Sequence, residues 1–127
     1  MKASLKIFLI EDSPDIRESI EQTLQSESNM TVVGYADDAL KAIQALQTLD
    51  IDAVLVDLNL RIGSGLQVLS HLHRNGNPKS ILRIVLTNHA SPIFKRACED
   101  LGAEYFFDKS MEFDRAVEVL KERASPH

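Results

Sequence analysis

Short apolar runs alternate along the chain with longer stretches in which apolar residues recur every three or four positions. The runs Leu5 to Ile10, Met30 to Ala36, Ala53 to Asp57, Ile81 to Thr87 and Tyr105 to Phe107 are mostly rich in Val, Ile, Leu or aromatics and lack internal proline, which predicts five strands. Runs that are apolar on both faces suit buried central strands of a parallel sheet. The intervening stretches carry one helical stripe each: Ile16, Ile20 and Leu24; Leu40, Ile43 and Leu46; Leu66, Leu69 and Leu72; Ile93, Phe94, Ala97, Cys98 and Leu101; Phe113, Val117 and Leu120. Strand then helix, five times over, argues for a doubly wound α/β sheet with five helices.

Local signals mark where helices begin and end. Ser13 before Pro14, and Ser91 before Pro92, place a hydroxyl cap ahead of a proline whose missing N–H is not needed at the first helical position. Gly102 after Leu101 can take the left-handed conformation that closes a helix. Ser110, with Glu112 and Asp114, is expected to cap the last helix and match its dipole. No repeat, linker or low-complexity stretch interrupts the pattern, so residues 1–127 are expected to form a single domain with a loose tail over 124–127.

Charge and cysteine content narrow the function. With 19 acidic against 14 basic residues the net charge is -5, and no basic stripe of the kind nucleic acid or an anionic membrane selects is present. The one cysteine, Cys98, rules out an internal disulfide framework and falls on a helical stripe, where a buried structural thiol is expected. Ile7 to Ile10 is too short for a signal-peptide core, and no apolar run approaches membrane-spanning length. A cytoplasmic, soluble protein is expected.

In a doubly wound sheet, ligands bind beyond the carboxyl ends of the strands. Glu11 and Asp12 follow the first strand, Asp57 ends the third, Thr87 ends the fourth and Lys109 follows the fifth. The second strand, ending in Ala36 and Asp37, lies at the sheet's margin in the flavodoxin-like order 2-1-3-4-5. Clustered carboxylates repel unless a positive group lies among them, and a hard divalent cation with oxygen ligands is the usual solution. With Mg²⁺ and Lys109 offsetting the charge, Asp57 can act as a carboxylate nucleophile toward a phosphoryl donor, and the Thr87 hydroxyl can bond a phosphoryl oxygen. Singly, each of these groups is more often a turn former, a cap or a solvated charge. Their gathering at one end of the sheet is what favours a site.

At these residues the chain strongly resembles the bacterial response-regulator receiver family, through KIFLIEDSP (Lys6 to Pro14), DAVLVDLNL (Asp52 to Leu60), IVLTNHA (Ile84 to Ala90) and LGAEYFFDK (Leu101 to Lys109). The resemblance implies that Asp57 is the phospho-acceptor and that Glu11, Asp12, Asp57 and the backbone carbonyl of Asn59 hold Mg²⁺, for which Mn²⁺ can substitute. Thr87 would be the switch hydroxyl, Lys109 the phosphate-contacting lysine and Phe106, three residues earlier, the switch aromatic. Tyr105 would be a strand-end aromatic. The implied switch remodels the face made by the fourth helix, fifth strand and fifth helix. The implied partners are a sensor histidine kinase or a histidine phosphotransfer protein and a downstream protein target, with the domain a monomer or a phosphorylation-dependent dimer.

The chain also departs from the family. Arg61 stands four residues after the acceptor, where proline is common, and is expected to be solvated on a more mobile, more basic loop. Ser110 follows Lys109 where a cis proline is usual; without proline a cis bond costs roughly 2.5–4 kcal/mol, so the geometry there is open. Asn88 is larger than the small residue common at its position, and His89 lies near the site mouth; with Asn59 and Arg61 they are candidate modulators of phosphoryl lifetime. His89 is expected to be a surface residue, because no second histidine stands at ligand spacing. His71 and His73, two apart on a helix, do not share a face.

Two rivals remain. A phosphohydrolase of the haloacid-dehalogenase type also uses an aspartate, Mg²⁺, a hydroxyl residue and a lysine, but its second acid normally lies where this chain has Asn59, and its nucleophile ends the first strand. A pseudo-receiver would act only by binding protein. The expectation is a signalling domain, not an enzyme, with at most slow self-dephosphorylation. The length beyond the fifth helix leaves room for no output domain, so a stand-alone or excised receiver is expected.

Overall fold

A computed structural model describes residues 4–27, 29–75 and 80–124. Strands β1 (Leu5–Ile10), β2 (Met30–Ala36), β3 (Ala53–Val56), β4 (Leu82–Thr87) and β5 (Tyr105–Asp108) alternate with helices α1 (Pro14–Gln25), α2 (Ala39–Thr48), α3 (Gly65–Asn75), α4 (Pro92–Asp100) and α5 (Phe113–Ala124). All strand pairs are parallel and the order is β2-β1-β3-β4-β5, as expected from the alternation. The tail expected over 124–127 falls outside the described residues after Ala124, which ends α5. Among the described residues, no helix is long and apolar enough to cross a membrane.

Alternation along the strands sorts the core into two layers. Ile7 and Leu9 of β1, with Leu55, Ile84 and Leu86, face Ile20 and Leu24 of α1 and Ala116 and Leu120 of α5. Phe8, Ile10, Val54 and Val56 face α2 and the Val68 and Leu72 positions of α3. A third cluster joins Val85, Leu69 of α3 and Cys98 of α4. The sheet is thus covered on both faces, as an all-parallel sheet must be.

The serine caps form as the sequence predicts: Ser13 Oγ accepts from Ile16 N–H and Ser91 Oγ from Phe94 N–H, each at 3.3 Å, with Pro14 and Pro92 at the first helical turn. Gly102 closes α4 with φ 89°. Ser110 does not cap α5. Its hydroxyl and N–H both bond the Asp108 carboxylate, which also accepts from Met111 N–H, so a turn built on Asp108 precedes the helix. The Ser110 hydroxyl, with those two N–H groups, holds the Asp108 carboxyl below the usual carboxylate range.

Two stripes also differ from expectation. On α2 the buried positions are Ala39, Ala42 and Leu46, while Leu40 is 65% exposed. The N-terminal part of the buried stripe is shifted by one residue, with Ala39 and Ala42 in the core cluster in place of Leu40 and Ile43, and Leu46 is common to both. On α4, Cys98 is the buried residue, and Ile93 is 81% exposed.

Candidate functional site

The strand order reverses between β1 and β3, and the carboxyl ends of those two strands supply the acids. Backbone pairing carries just past the strands: Glu11 N–H donates to Ala36 O at 3.1 Å and Asp57 N–H to Ile10 O at 2.9 Å, so both residues hold strand-like positions side by side. Further groups fix the Glu11 loop. Arg17 of α1 donates to the Glu11 carbonyl at 2.8 Å, and its guanidinium lies 3.9 Å from the centre of the Tyr35 ring on β2. Behind Asp57, α3 begins at Gly65 so closely that a Cβ there would stand 2.3 Å from the Asp57 carbonyl oxygen. Any side chain at Gly65 would displace the Asp57 backbone or the helix. No sequence motif considered above singled out Gly65 or Arg17, because both act through backbone positions that only the folded chain brings together.

A cleft of about 190 Å³ opens here, lined by Glu11, Asp12, Ser13, Ile16, Asp57, Asn59, Asn88, His89 and Lys109. Asp57 is 7% exposed yet faces this cleft. Lys109 Nζ lies 2.8 Å from Asp57 Oδ2 and also donates to Glu11 Oε1. The peptide after Lys109 is trans, since no cis bond occurs among the described residues, and Ser110 therefore leaves the lysine's reach intact. Lys109 is further placed by its own N–H, which donates to Thr87 O at 2.9 Å.

Electrostatics explain the tightness of this triad. Burial disfavours the Lys109 ammonium, but hydrogen bonds to Asp57 and Glu11 outweigh it and hold the group above its ordinary range. Burial raises the Glu11 carboxyl, and hydrogen bonds from Lys109 and the Ser13 N–H offset only part of that rise. One oxygen each of Glu11, Asp12 and Asp57 lies within 4.8 Å of the others. The Lys109 ammonium contacts two of these three carboxylates, and the candidate ligand atoms are all hard oxygens, so the cluster suits a hard divalent cation.

The remaining expected residues stand at graded distances. Asn59 reaches the cleft, and its N–H lies 3.3 Å from Asp57 Oδ1. Asn88 and His89 line the mouth, exposed, as a surface position for His89 requires. Thr87 does not line the cleft: it is fully buried, and its Oγ1 accepts from the His89 N–H at 3.1 Å. Phe106, half-buried, packs in the cluster of Val85 and Cys98 beside α4, and Tyr105 stacks on Phe107 on the opposite sheet face. Arg61 is a correction. Its side chain is half exposed but not merely solvated, for it pairs with Asp37 and Asp38 across the top of the sheet. The loop it belongs to is therefore tied down instead of free, because two acids that follow β2 lie within reach of its guanidinium.

Comparison with known proteins matches residues 7–121 to the response regulator receiver domain. The chain is 30% identical over 116 residues to the nitrate/nitrite response regulator protein NarP of Escherichia coli, covering 91% of this chain and 53% of that one. It is 32% identical over 122 residues to the nitrate/nitrite response regulator protein homolog of Haemophilus influenzae, covering 95% and 57%. The chain thus spans little more than half the length of these relatives. Its fold superposes on the signal receiver domain of the putative response regulator NarL from Mycobacterium tuberculosis with a TM-score of 0.84 at 22% identity, covering 98% and 99% of the two chains. With five parallel strands in the order 2-1-3-4-5 and the acidic cluster at their carboxyl ends, the chain belongs to the response regulator receiver domain family.

Proposed function

We propose that Asp57 is the phospho-acceptor of a cytoplasmic two-component or phosphorelay pathway, taking its phosphoryl group from a histidine kinase or histidine phosphotransfer protein. The observation that carries this reading is the Lys109 ammonium bonded to both Asp57 and Glu11 at the floor of an open cleft. An Asp57 carboxylate oxygen would form the bond to phosphorus as the phosphorus–nitrogen bond of phosphohistidine breaks, the electron pair leaving with the imidazole nitrogen, which takes a proton from solvent. Glu11, Asp12, Asp57 and the Asn59 carbonyl would hold Mg²⁺ or Mn²⁺, which when bound neutralises charge on the phosphoryl oxygens. Lys109 is a mobile point charge able to pass from the carboxylates to the incoming group.

Thr87 supplies the switch in this reading. Its hydroxyl now accepts from the His89 N–H and would turn to donate to a phosphoryl oxygen, and Phe106, in the cluster beside α4, would follow it inward. The readout would be the surface of α4, β5 and α5, where Ile93, Phe94, Tyr105 and Met111 are exposed. Incubation with Mg²⁺ and acetyl phosphate is expected to add one acid- and alkali-labile phosphoryl group, observed as a single mass increment, and Asp57→Asn is expected to abolish it. Rapid turnover of phosphomonoesters would overturn the reading in favour of a phosphohydrolase, and full output from an unphosphorylatable chain in favour of a binding module.

A further inference from the structure

Arg61 replaces a residue type that could not do what it does here. Its Nε lies 3.4 Å from Asp37 Oδ2 and its Nη2 3.1 Å from Asp38 Oδ2, so one planar fork spans two adjacent carboxylates. The backbones are joined as well: Arg61 N–H donates to Asp37 O at 3.2 Å, Ala39 N–H donates to Ile62 O at 3.0 Å, and Asp38 and Ile62 form a parallel bridge. At its other end the same loop closes on itself through the Asn59–Ser64 bridge. The segment after the acceptor is therefore clamped to the start of α2, an element that places no side chain in the cleft.

We propose that Arg61 is a positioning residue for the acceptor site: by clamping the loop after Asp57 to Asp37 and Asp38 it holds Asn59 at the cleft and so sets the affinity for the divalent cation. The proposal rests on the reading of Glu11, Asp12, Asp57 and Asn59 as the cation site. Asn59 lines the cleft, bonds Asp57 through its N–H and lies two residues from the clamp, so release of Arg61 loosens a wall that is set by a loop and not by a strand end. The two halves of the clamp are unequal. Asp37 is the more exposed and shared with Lys41, which makes its pair the weaker one. The Asp38 side chain is only 9% exposed and also caps α2, its Oδ1 accepting from Lys41 N–H at 2.8 Å, so the Arg61 charge is the partner of a nearly buried carboxylate.

The two roles of Asp38 separate by mutation. Asn caps helices about as well as Asp, so Asp38→Asn keeps the cap and removes the charge. Calorimetric titration of the metal-free protein with Mg²⁺ is expected to show affinity reduced about three- to tenfold in Arg61→Ala and in Asp38→Asn, with Arg61→Lys intermediate. That is below the roughly 10- to 100-fold typical of groups that orient metal ligands, because the Arg61 side chain is half exposed. In the absence of metal, amide exchange at Arg61 and Ala39 is expected to accelerate in the same variants, while the thermal midpoint moves by no more than a few degrees. Equal Mg²⁺ affinity in wild type and both variants would overturn the clamp; so would a loss matched by global unfolding. Absence of Mg²⁺ binding in the wild type would instead overturn the cation site itself.

Discussion

Helices α3 and α4 lie side by side on one face of the sheet, yet they are held very differently. Val68, Leu69 and Leu72 of α3 are buried across two core clusters, whereas α4 puts Cys98 into the core and leaves Ile93 and Phe94 outside. The first residue of α3, Gly65, also presses against the backbone of Asp57, which fixes this helix to the candidate acceptor. A helix that seats the acceptor has to be immobile. One that carries a signal outward is better weakly anchored, and neighbouring exposed apolar side chains such as Ile93 and Phe94 suit a contact surface. Phe106 stands between the two, packed with Leu69, Cys98 and Val85.

The contrast is broken most severely by removing an anchor of α3. Leu69→Ala deletes a fully buried side chain and is expected to lower stability by about 2–5 kcal/mol in urea unfolding, with the spread set by how far the site collapses. A loss under about 1 kcal/mol would mean that α3 is no better seated than α4.

Cys98, the counterpart anchor of α4, is expected to have a smaller effect. Cys98→Ser places a hydroxyl in an apolar cluster and is expected to cost about 1–3 kcal/mol. Burial, with a smaller push from Glu99, raises the thiol from 9.0 to about 11. The folded chain therefore keeps its proton longer than the unfolded one. This contribution to stability is complete below pH 9.0 and is lost as pH rises toward about 11. Urea unfolding at pH 7 and 10 should show that loss in the wild type and a shallower one in Cys98→Ala. Thiol reagents should likewise react slowly with the native chain and fast once it is unfolded.

The same contrast shows what the amino-acid pattern could convey. Strands, the serine caps and the gathering of Glu11, Asp12, Asp57 and Lys109 were legible, because strand ends in a parallel sheet share one edge whatever the details of packing. Helix faces were less legible. Periodicity puts Ile93 and Phe94 on a stripe with Cys98, but a stripe shows only that residues share a side, not that anything covers it. On α2, alanines count little in an apolar pattern although Ala39 and Ala42 are buried there with Leu46. Arg61 pairs with acids 23 and 24 positions away, a contact that no local spacing encodes. Ser110 looked like a cap but had a better partner in Asp108, whose carboxylate collects three donors.

The smallest stability effect is the most informative about signalling. Ile93 is 81% exposed, so Ile93→Ser is expected to change the unfolding free energy measured in urea by no more than about 0.5 kcal/mol. It should leave labelling by acetyl phosphate unchanged as well, since the residue is absent from the cleft. If α4 carries the outward face, the same substitution should nevertheless cut pathway output in cells, because an apolar anchor at the centre of a contact surface contributes far more to binding than to folding. Stability lost by more than about 1 kcal/mol would place Ile93 in the core and make the two helices alike. Unchanged stability, labelling and output together would take Ile93 out of the signal, leaving Phe94 of α4, Tyr105 of β5 and Met111 of the turn before α5 as the exposed apolar candidates to carry it.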